Sequence, residues 1–116
     1  MVKLESLKKS DHFRLALREK KIHTDFFSIF ASKNFLKTKK DNLIISFVMK
    51  KKIGNAVKRN KIRRKLKAIV LKLLKIKGVI NRNYTYIVFG KPRTYSEKSK
   101  VLTTKMVNSF KSLKEI

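Results

Sequence analysis

Acidic residues are missing from the middle of this chain, where its basic residues are most concentrated. The 55 residues between Asp41 and Glu97 include no Asp or Glu but hold 16 of the 32 lysine and arginine residues. Ten of these lie within Lys50–Lys67. The exposed face of an ordinary helix mixes both signs, because i,i+4 pairs of opposite charge stabilise it, whereas like charges repel. The distribution therefore favours a binding site for a polyanion over a basic surface that is merely solvated.

The net charge of +25 on 116 residues makes nucleic acid the favoured partner. Self-repulsion at this density destabilises a compact state, and binding a polyanion relieves it. An anionic membrane surface is the weaker alternative. The longest nearly apolar run, Leu43–Met49, is far shorter than the roughly 20 residues that cross a bilayer, and Met1–Ser10 lacks the apolar core of a secretory signal. We therefore expect a cytoplasmic protein without a membrane partner.

Length and composition limit the chain to one domain with a conventional core. Hydrophobic residues make up 42% of the sequence, which is more than disordered chains contain. We expect a single RNA-binding domain over residues 1–116, with about 1–9 and 114–116 flexible. Because the chain has no cysteine and only two histidines, disulfides, cysteine-ligated zinc and a histidine-rich metal site are excluded. We expect no metal to be bound tightly by the protein.

The first half of the chain carries signals for a helix and two strands. Ser10 is predicted to cap a short helix that continues to about Lys20. Alternating aromatic residues predict a strand over Phe26–Ser32, and the apolar run Leu43–Met49 predicts a second, central strand. The polar segment between them, Lys33–Asn42, is typical of a hairpin loop.

A long amphipathic helix is predicted after the break at Gly54-Asn55, ending before Gly78. Its apolar residues are Ile62, Leu66, Ile69, Val70, Leu73 and Leu74. Arg59 and Arg63 fall within the same arc of the helix, and buried unpaired charge is very costly. The start of the helix should therefore extend beyond the core or line a wet groove. Arg59, Arg63 and Lys67, at i, i+4 and i+8, form a basic ridge that suits a phosphate backbone.

The last part of the chain predicts one more strand and one more helix. The strand is Tyr84–Phe89, and Thr94 with Glu97 matches a capping box for the helix. The apolar side of that helix consists of Leu102, Met106, Phe110 and Leu113. The order of helices and strands indicates one sandwich of the α+β or α/β type.

The sequence at the start of the long helix resembles a known family signature. The run from Lys51 to Arg64, Lys-Lys-Ile-Gly-Asn-Ala-Val-x-Arg-Asn-Lys-Ile-Arg-Arg, is similar to that of the protein subunit of bacterial ribonuclease P. The flanking strands agree, so the resemblance covers nearly the whole chain. It implies an α+β sandwich of the ribosomal-protein-S5-domain-2 type, with the order α-β-β-β-α-β-α. It also implies a left-handed crossover between parallel strands, whereas general rules favour the right hand.

The resemblance implies a function in tRNA maturation. Family members are the small subunit of a ribonucleoprotein that removes the 5′ leader from precursor tRNA by endonucleolytic cleavage. The implied partners are the catalytic RNA subunit and precursor tRNA, with no obligate protein partner. The catalytic centre is expected in the RNA and not in this chain. The implied cofactor is Mg²⁺, bound mainly by the RNA.

The resemblance and the basic ridge together define two sets of site residues. The residues expected to bind the RNA subunit are Lys51, Lys52, Asn55, Arg59, Asn60, Lys61, Arg63, Arg64 and Lys67. The residues expected to bind the leader are Phe13, Leu17 and Phe30. Lys61 stands where many members have Arg, so it keeps the charge without the paired geometry. Leu17 stands where a second Phe is common, and Phe30 replaces a Tyr.

The leader residues have an alternative interpretation as ordinary core side chains. Single-stranded RNA is held by bases stacked on aromatic rings and by basic side chains on phosphates, and this mode tolerates variable sequence. Phe13 and Phe30 suit that task, but an isolated Phe more often belongs to the core.

Three other functions are compatible with parts of the sequence. A ribosomal or other structural RNA-binding protein would share the size and charge, but the Gly54-Asn55-Ala56-Val57 turn joined to Arg59-Asn60 disfavours it. A surface-active protein would share the amphipathic helix, but the strands favour a packed domain. An acid–base enzyme could use His12 or His23 beside an aspartate, yet no phosphate loop, nucleophile elbow or carboxylate cluster accompanies them.

Overall fold

One mixed β-sheet carries helices on both of its faces. The structure is a computed structural model that describes residues 3–36 and 42–115. Its strands and helices, in chain order, are β1 (Leu4–Glu5), α1 (Ser10–Ala16), β2 (Lys20–His23), β3 (Phe27–Lys33), β4 (Leu43–Val48), α2 (Ala56–Leu74), β5 (Tyr84–Gly90) and α3 (Ser99–Glu115). Two 3₁₀ turns, Lys51–Ile53 and Pro92–Tyr95, precede α2 and α3. The predicted α+β class is confirmed, with β1 as an additional strand.

The strand order of the sheet is β1-β4-β5-β3-β2. β4 and β5 are parallel neighbours joined through α2, as the resemblance implies. The hand of that crossover stays a prediction. The prediction of a hairpin loop over Lys33–Asn42 is wrong, because β5 lies between β3 and β4 and pairs with both. Residues 37–41 of that segment lie outside the described residues.

Alternation along the strands divides the core between the two faces of the sheet. Phe27, Ile29 and Ala31 of β3 point to the face covered by α2 and α3, where the larger cluster of buried side chains lies. All of the apolar side chains predicted for the long helix and the last helix are buried in the described chain. The opposite face carries a smaller cluster, the α1-side cluster, whose buried members are Leu7, Ala16, Ile44 and Ile87.

The predicted first helix is too long at its C-terminal end. α1 ends at Ala16 instead of Lys20, because Lys20–His23 forms β2 and pairs with β3. Ser10 lies inside α1, and Lys9 occupies the cap position with no side-chain hydrogen bond, so the predicted Ser10 cap is wrong.

Two predicted helix ends in the second half of the chain also differ from the structure. α2 ends at Leu74, several residues before Gly78, because Val79 and Ile80 turn back into the core. Thr94 does not cap α3, which begins at Ser99. Instead, the buried Thr94 hydroxyl donates to the carbonyl oxygen of Phe26 at 2.6 Å.

Part of the N-terminal segment that the sequence predicts to be flexible is packed against the sheet. β1 pairs with β4 in parallel register. Leu7 is only 5% exposed, and its backbone N–H donates to the Ser46 hydroxyl at 2.8 Å. Leu7 supplies the apolar anchor, since it belongs to the α1-side cluster. Residues 1, 2 and 116 lie outside the described residues.

The helices of the described residues include no candidate membrane span. Neither the length nor the hydropathy of any helix in residues 3–36 and 42–115 suffices to cross a bilayer.

Candidate nucleic-acid interface

The start of α2 is fixed by a glycine and a capping side chain. Gly54 has a φ of +153°, in the region that favours glycine, and it links the 3₁₀ turn to the helix. The Asn55 side chain then accepts a 2.9 Å hydrogen bond from the backbone N–H of Lys58. Because Asn is a strong N-cap residue, Asn55 has a structural role in addition to its predicted contact with RNA.

The basic ridge lies partly on the packed side of α2, as its position in the apolar arc predicts. Arg59 and Arg63 are half-buried, whereas Lys67 is exposed. Arg63 and Lys67 line a groove between α2 and the edge of the sheet formed by β1 and β4. Of the two predicted alternatives, extension beyond the core or a groove, the groove is therefore found at Arg63, whereas Arg59 does not line it.

A polar atom of the Arg59 side chain is buried in the described structure. Its Nε is buried and has no hydrogen-bond partner in the part of the chain that the structure describes. Buried polar groups are nearly always paired, so an unpaired guanidinium nitrogen needs an explanation. A phosphate oxygen is the acceptor that arginine binds best.

The neighbouring predicted residues are exposed and are held by local hydrogen bonds. The Asn60 side chain accepts a 2.6 Å hydrogen bond from Arg63 Nη1, and its backbone carbonyl accepts from Arg64 Nε at 3.4 Å. Lys61 Nζ lies 4.5 Å from the centre of the Tyr95 ring. Lys51 and Lys52 are exposed on the 3₁₀ turn before α2.

A second surface lies on the sheet face opposite α2, at the end where β5 leaves the sheet. It is a cavity of about 620 Å³, called here the aromatic cavity, with Phe30 and Phe89 in its wall. Four basic side chains also line the cavity, Lys50, Lys52, Lys91 and Arg93, together with the Asp25 carboxylate, which pairs with Arg93. Lys52 therefore lies at the junction between the aromatic cavity and α2.

The two rings of the aromatic cavity pack edge to face. Their centroids are 5.5 Å apart at an interplanar angle of 78°. His23 lies edge-on to Phe30 at 5.9 Å, and its Nδ1 is 2.6 Å from the Ser28 hydroxyl. Lys50 Nζ lies 5.7 Å from the centre of the Phe89 ring. The cavity thus offers ring surface for bases and ammonium groups for phosphates.

The structure brings only one of the three predicted leader residues to the cavity wall. Phe30 lines it, whereas Phe13 is half-buried against the α1-side cluster, to which Phe30 and Phe89 also pack. Leu17 follows the C-terminal end of α1 and is 37% exposed. Phe13 and Leu17 are both outside the cavity lining, and Phe13 packs on the same face of the sheet as Phe30.

Like the cavity residues Lys91 and Arg93, Phe89 is a residue that the sequence patterns do not single out. It lies opposite Ser28 in the β3–β5 register, diagonal to Phe30. The alternation of β5 already separates Phe89 from Tyr86 and Val88, so it belongs to the other face of the strand. Only the pairing of β5 with β3 shows that this face joins that of Phe30.

The histidines and aspartates do not form acid–base pairs in the described structure. Asp11 pairs with Arg14, and Asp25 pairs with Arg93 at 3.2 Å. Within residues 3–36 and 42–115, no group of three or more histidine, aspartate or glutamate side chains could hold a metal ion.

A lysine clamp connects α2 to the wall of the aromatic cavity. Lys65 Nζ donates to the backbone carbonyls of Thr94, Tyr95 and Glu97, at 3.0, 3.0 and 2.7 Å. Burial and then repulsion from Lys61 lower the pKa of Lys65, and the Glu97 carboxylate opposes this change. The clamp fixes the turn that supplies Arg93 to the cavity.

Lys65→Met should lower the free energy of unfolding by about 1–2 kcal/mol, because three carbonyl groups lose a charged donor. Urea denaturation followed by circular dichroism measures the change. Lys72→Met, at an exposed position on the same helix, is the matched control and should change stability by less than about 0.5 kcal/mol. Equal stability of the two variants would contradict a role for the clamp.

Comparisons with known proteins agree with this architecture. A family model described as Ribonuclease P matches residues 1–114. The ribonuclease P protein component of Helicobacter acinonychis (strain Sheeba) is 40% identical over 82 residues, covering 59% of this chain and 54% of that protein. The chain thus matches about half the length of this curated relative.

Solved structures of similar fold come from two bacteria. The RNase P protein from Thermotoga maritima superposes with a TM-score of 0.71, at 23% identity and 97% coverage of both chains. The RNase P protein of Staphylococcus aureus gives a TM-score of 0.59 at 21% identity, covering 95% of this chain and 92% of that one. At these identities the likeness shows the fold. Since the family model spans nearly the whole sequence, this chain belongs to the ribonuclease P protein family.

Proposed function

We propose that this chain is the protein subunit of ribonuclease P and assists a catalytic RNA in removing the 5′ leader of precursor tRNA. The observation that carries the proposal is the aromatic cavity, whose two rings and lining lysines suit single-stranded RNA. Lys52 and Ile53, from the 3₁₀ turn where the family signature begins, line the cavity. The matched relatives are ribonuclease P proteins, which favours this function over that of a structural RNA-binding protein.

The two surfaces have separate tasks in this proposal. The basic ridge, with Lys51, Asn60, Lys61 and Arg64 around it, binds phosphates of the catalytic RNA, and Arg59 Nε gains an acceptor there. The aromatic cavity binds the leader, with a base on Phe30 or Phe89 and phosphates near the lysines. Because a leader of several nucleotides is longer than the cavity, it continues over the α1 face past Phe13 and Leu17.

The contribution of the protein is binding and charge neutralisation. Hydrolysis, and the Mg²⁺ that it uses, belong to the RNA in this proposal, and no further protein subunit is required. Two polyanions repel each other, and a protein of net charge +25 between them lowers the concentration of cations needed to hold them together. We expect the complex in the cytoplasm, with the tRNA precursors.

Reconstitution tests the function. The protein is added to a bacterial ribonuclease P RNA and a 5′-labelled precursor tRNA at low, near-physiological Mg²⁺. At this Mg²⁺ concentration, we expect cleavage at the mature 5′ end that requires both protein and RNA. Without protein, the RNA should cleave only when the Mg²⁺ concentration is raised. Tight binding of the protein to the RNA without stimulated cleavage would contradict the proposal and indicate a structural RNA-binding role.

A further inference from the structure

A second, smaller depression lies beside the basic ridge, on the side of α2 that faces the sheet edge. Its volume is about 220 Å³, and it is called here the edge groove. It is lined by Leu4 and Ser6 from the N-terminal segment, Ile45 and Phe47 from β4, and Arg63 and Lys67 from α2. Neither the family signature nor the aromatic cavity accounts for its aromatic and apolar residues.

The chemistry of the edge groove combines apolar walls with two cations. Leu4 and Phe47 are half-buried and pack against the main core, so part of each side chain remains open to the groove. Arg63 is held in place, because its Nη1 donates to Asn60. The nearby Glu5 carboxylate accepts a hydrogen bond from the Asn42 side chain at 3.1 Å, and α2 contains no acid. An anionic group with a flat apolar part is the ligand that such walls favour.

The size of the groove limits that ligand to about one ring. Sites for drug-sized molecules occupy roughly 300–1,000 Å³, and the edge groove is smaller. A nucleobase is flat, largely apolar on its faces and stacks on aromatic side chains. The phosphate of the same nucleotide would lie near Arg63, and arginine can form paired hydrogen bonds with phosphate oxygens.

The position of the groove indicates where that nucleotide comes from. Arg63 and Lys67 belong both to the groove and to the basic ridge, so an RNA strand on the ridge passes the mouth of the groove. We propose that the edge groove binds one unpaired nucleotide of the RNA subunit, with its base against Phe47 and its phosphate on Arg63 and Lys67. This inference rests on the proposed function, because it requires that RNA to lie on α2.

Replacing Phe47 with leucine tests the stacking contact while keeping an apolar side chain in the core. We expect Phe47→Leu to weaken binding of the catalytic RNA by roughly 5- to 150-fold, the range for loss of one stacked base. Phe47→Tyr keeps the ring and should bind like the wild type. Chemical probing of the RNA should show one or two unpaired nucleotides protected by wild-type protein and reactive with Phe47→Leu, with the remaining protections unchanged.

A second variant separates loss of binding from loss of folding. Ser6 is exposed, so Ser6→Phe can fill the groove. Its hydroxyl lies 3.2 Å from that of the buried Ser46, so Ser6→Ala, which removes the same hydrogen bond and leaves the groove open, is the matched control. We expect Ser6→Phe to show the same loss of affinity and the same reactive nucleotides as Phe47→Leu, with thermal melting close to that of Ser6→Ala. Wild-type affinity and protections in both Phe47→Leu and Ser6→Phe would overturn the inference.

Three further outcomes show whether the groove takes a nucleotide of the RNA or a free nucleotide, and whether the proposed function or only this inference fails. If adenosine monophosphate alone binds wild-type protein saturably, and Phe47→Leu abolishes this binding without altering RNA affinity, the groove serves a free nucleotide and the inference is overturned. If wild-type protein neither binds the catalytic RNA nor stimulates cleavage, the proposed function fails and the inference fails with it. If wild-type protein stimulates cleavage, but Phe47→Leu and Ser6→Phe bind the catalytic RNA as tightly as the wild type, the inference alone is overturned.

Discussion

Replacing Arg59 and Arg63 together with alanine should weaken binding of the catalytic RNA by about two to four orders of magnitude. A hydrogen bond to a charged group contributes about 1.5–3 kcal/mol, and the variant loses at least one at each position. Arg59 should account for a large share, because its buried Nε has no hydrogen-bond partner among the described residues and a phosphate oxygen would supply one. The plot of log binding constant against log salt concentration has a negative slope. Its magnitude should decrease by about two, since two phosphate contacts disappear.

Fluorescence titrations of labelled RNA at several salt concentrations measure both quantities. The matched control is Lys72→Ala with Lys75→Ala, which removes the same charge from exposed positions at the far end of α2. That control should lose only the long-range part of the attraction, which salt screens. If both double variants show the same affinity and slope, net charge and not the ridge determines binding.

α2 is the part of the molecule that the sequence defines best. Its apolar spacing, the Gly54-Asn55 break and the arginines in the apolar arc are all local patterns, and the structure confirms the helix and the groove beside Arg63. The residue at which α2 ends cannot be predicted from local patterns alone. It depends on Val79 and Ile80 entering the core, which is a tertiary contact.

The short edge strands β1 and β2 lie beyond what local patterns can show. β1 consists of Leu4 and Glu5, and its strand geometry comes from pairing with β4, about 40 residues later. In β2, Ile22 is flanked by two lysines and a histidine, so the strand lacks an alternation of apolar residues. Both strands form because a neighbouring strand offers unpaired backbone groups.

The aromatic cavity also depends on contacts between distant parts of the chain. Phe30 and Phe89 meet only because β5 inserts between β3 and β4. The same insertion brings Thr94 to the backbone of Phe26, so a residue that fits a helix cap locally is used to hold a turn. Sequence resemblance points to Phe30, but the register of the sheet is needed to find its partner ring.

Replacing both cavity rings, Phe30→Leu with Phe89→Leu, should selectively weaken binding of precursor tRNA by the assembled enzyme. Stacking on aromatic rings contributes roughly 1–3 kcal/mol per base, so the loss should be about 5- to 150-fold for each base that is no longer stacked. Mature tRNA has no leader, and its affinity should be unchanged. Leucine keeps apolar contacts in the α1-side cluster, so the edge-to-face pair should cost only about 0.5–1.5 kcal/mol of stability.

The dependence on leader length distinguishes stacking from a structural effect of these substitutions. Precursors with leaders of one to eight nucleotides, bound to enzyme assembled with wild-type or variant protein, should converge in affinity as the leader shortens. Phe35→Leu is the matched control, because Phe35 is half-buried against the α1-side cluster and does not line the cavity. Its affinities should follow those of the wild type at every length. Equal losses for precursor and mature tRNA in the double variant would mean that the rings act through folding, because only a direct contact with the leader can disappear when the leader does.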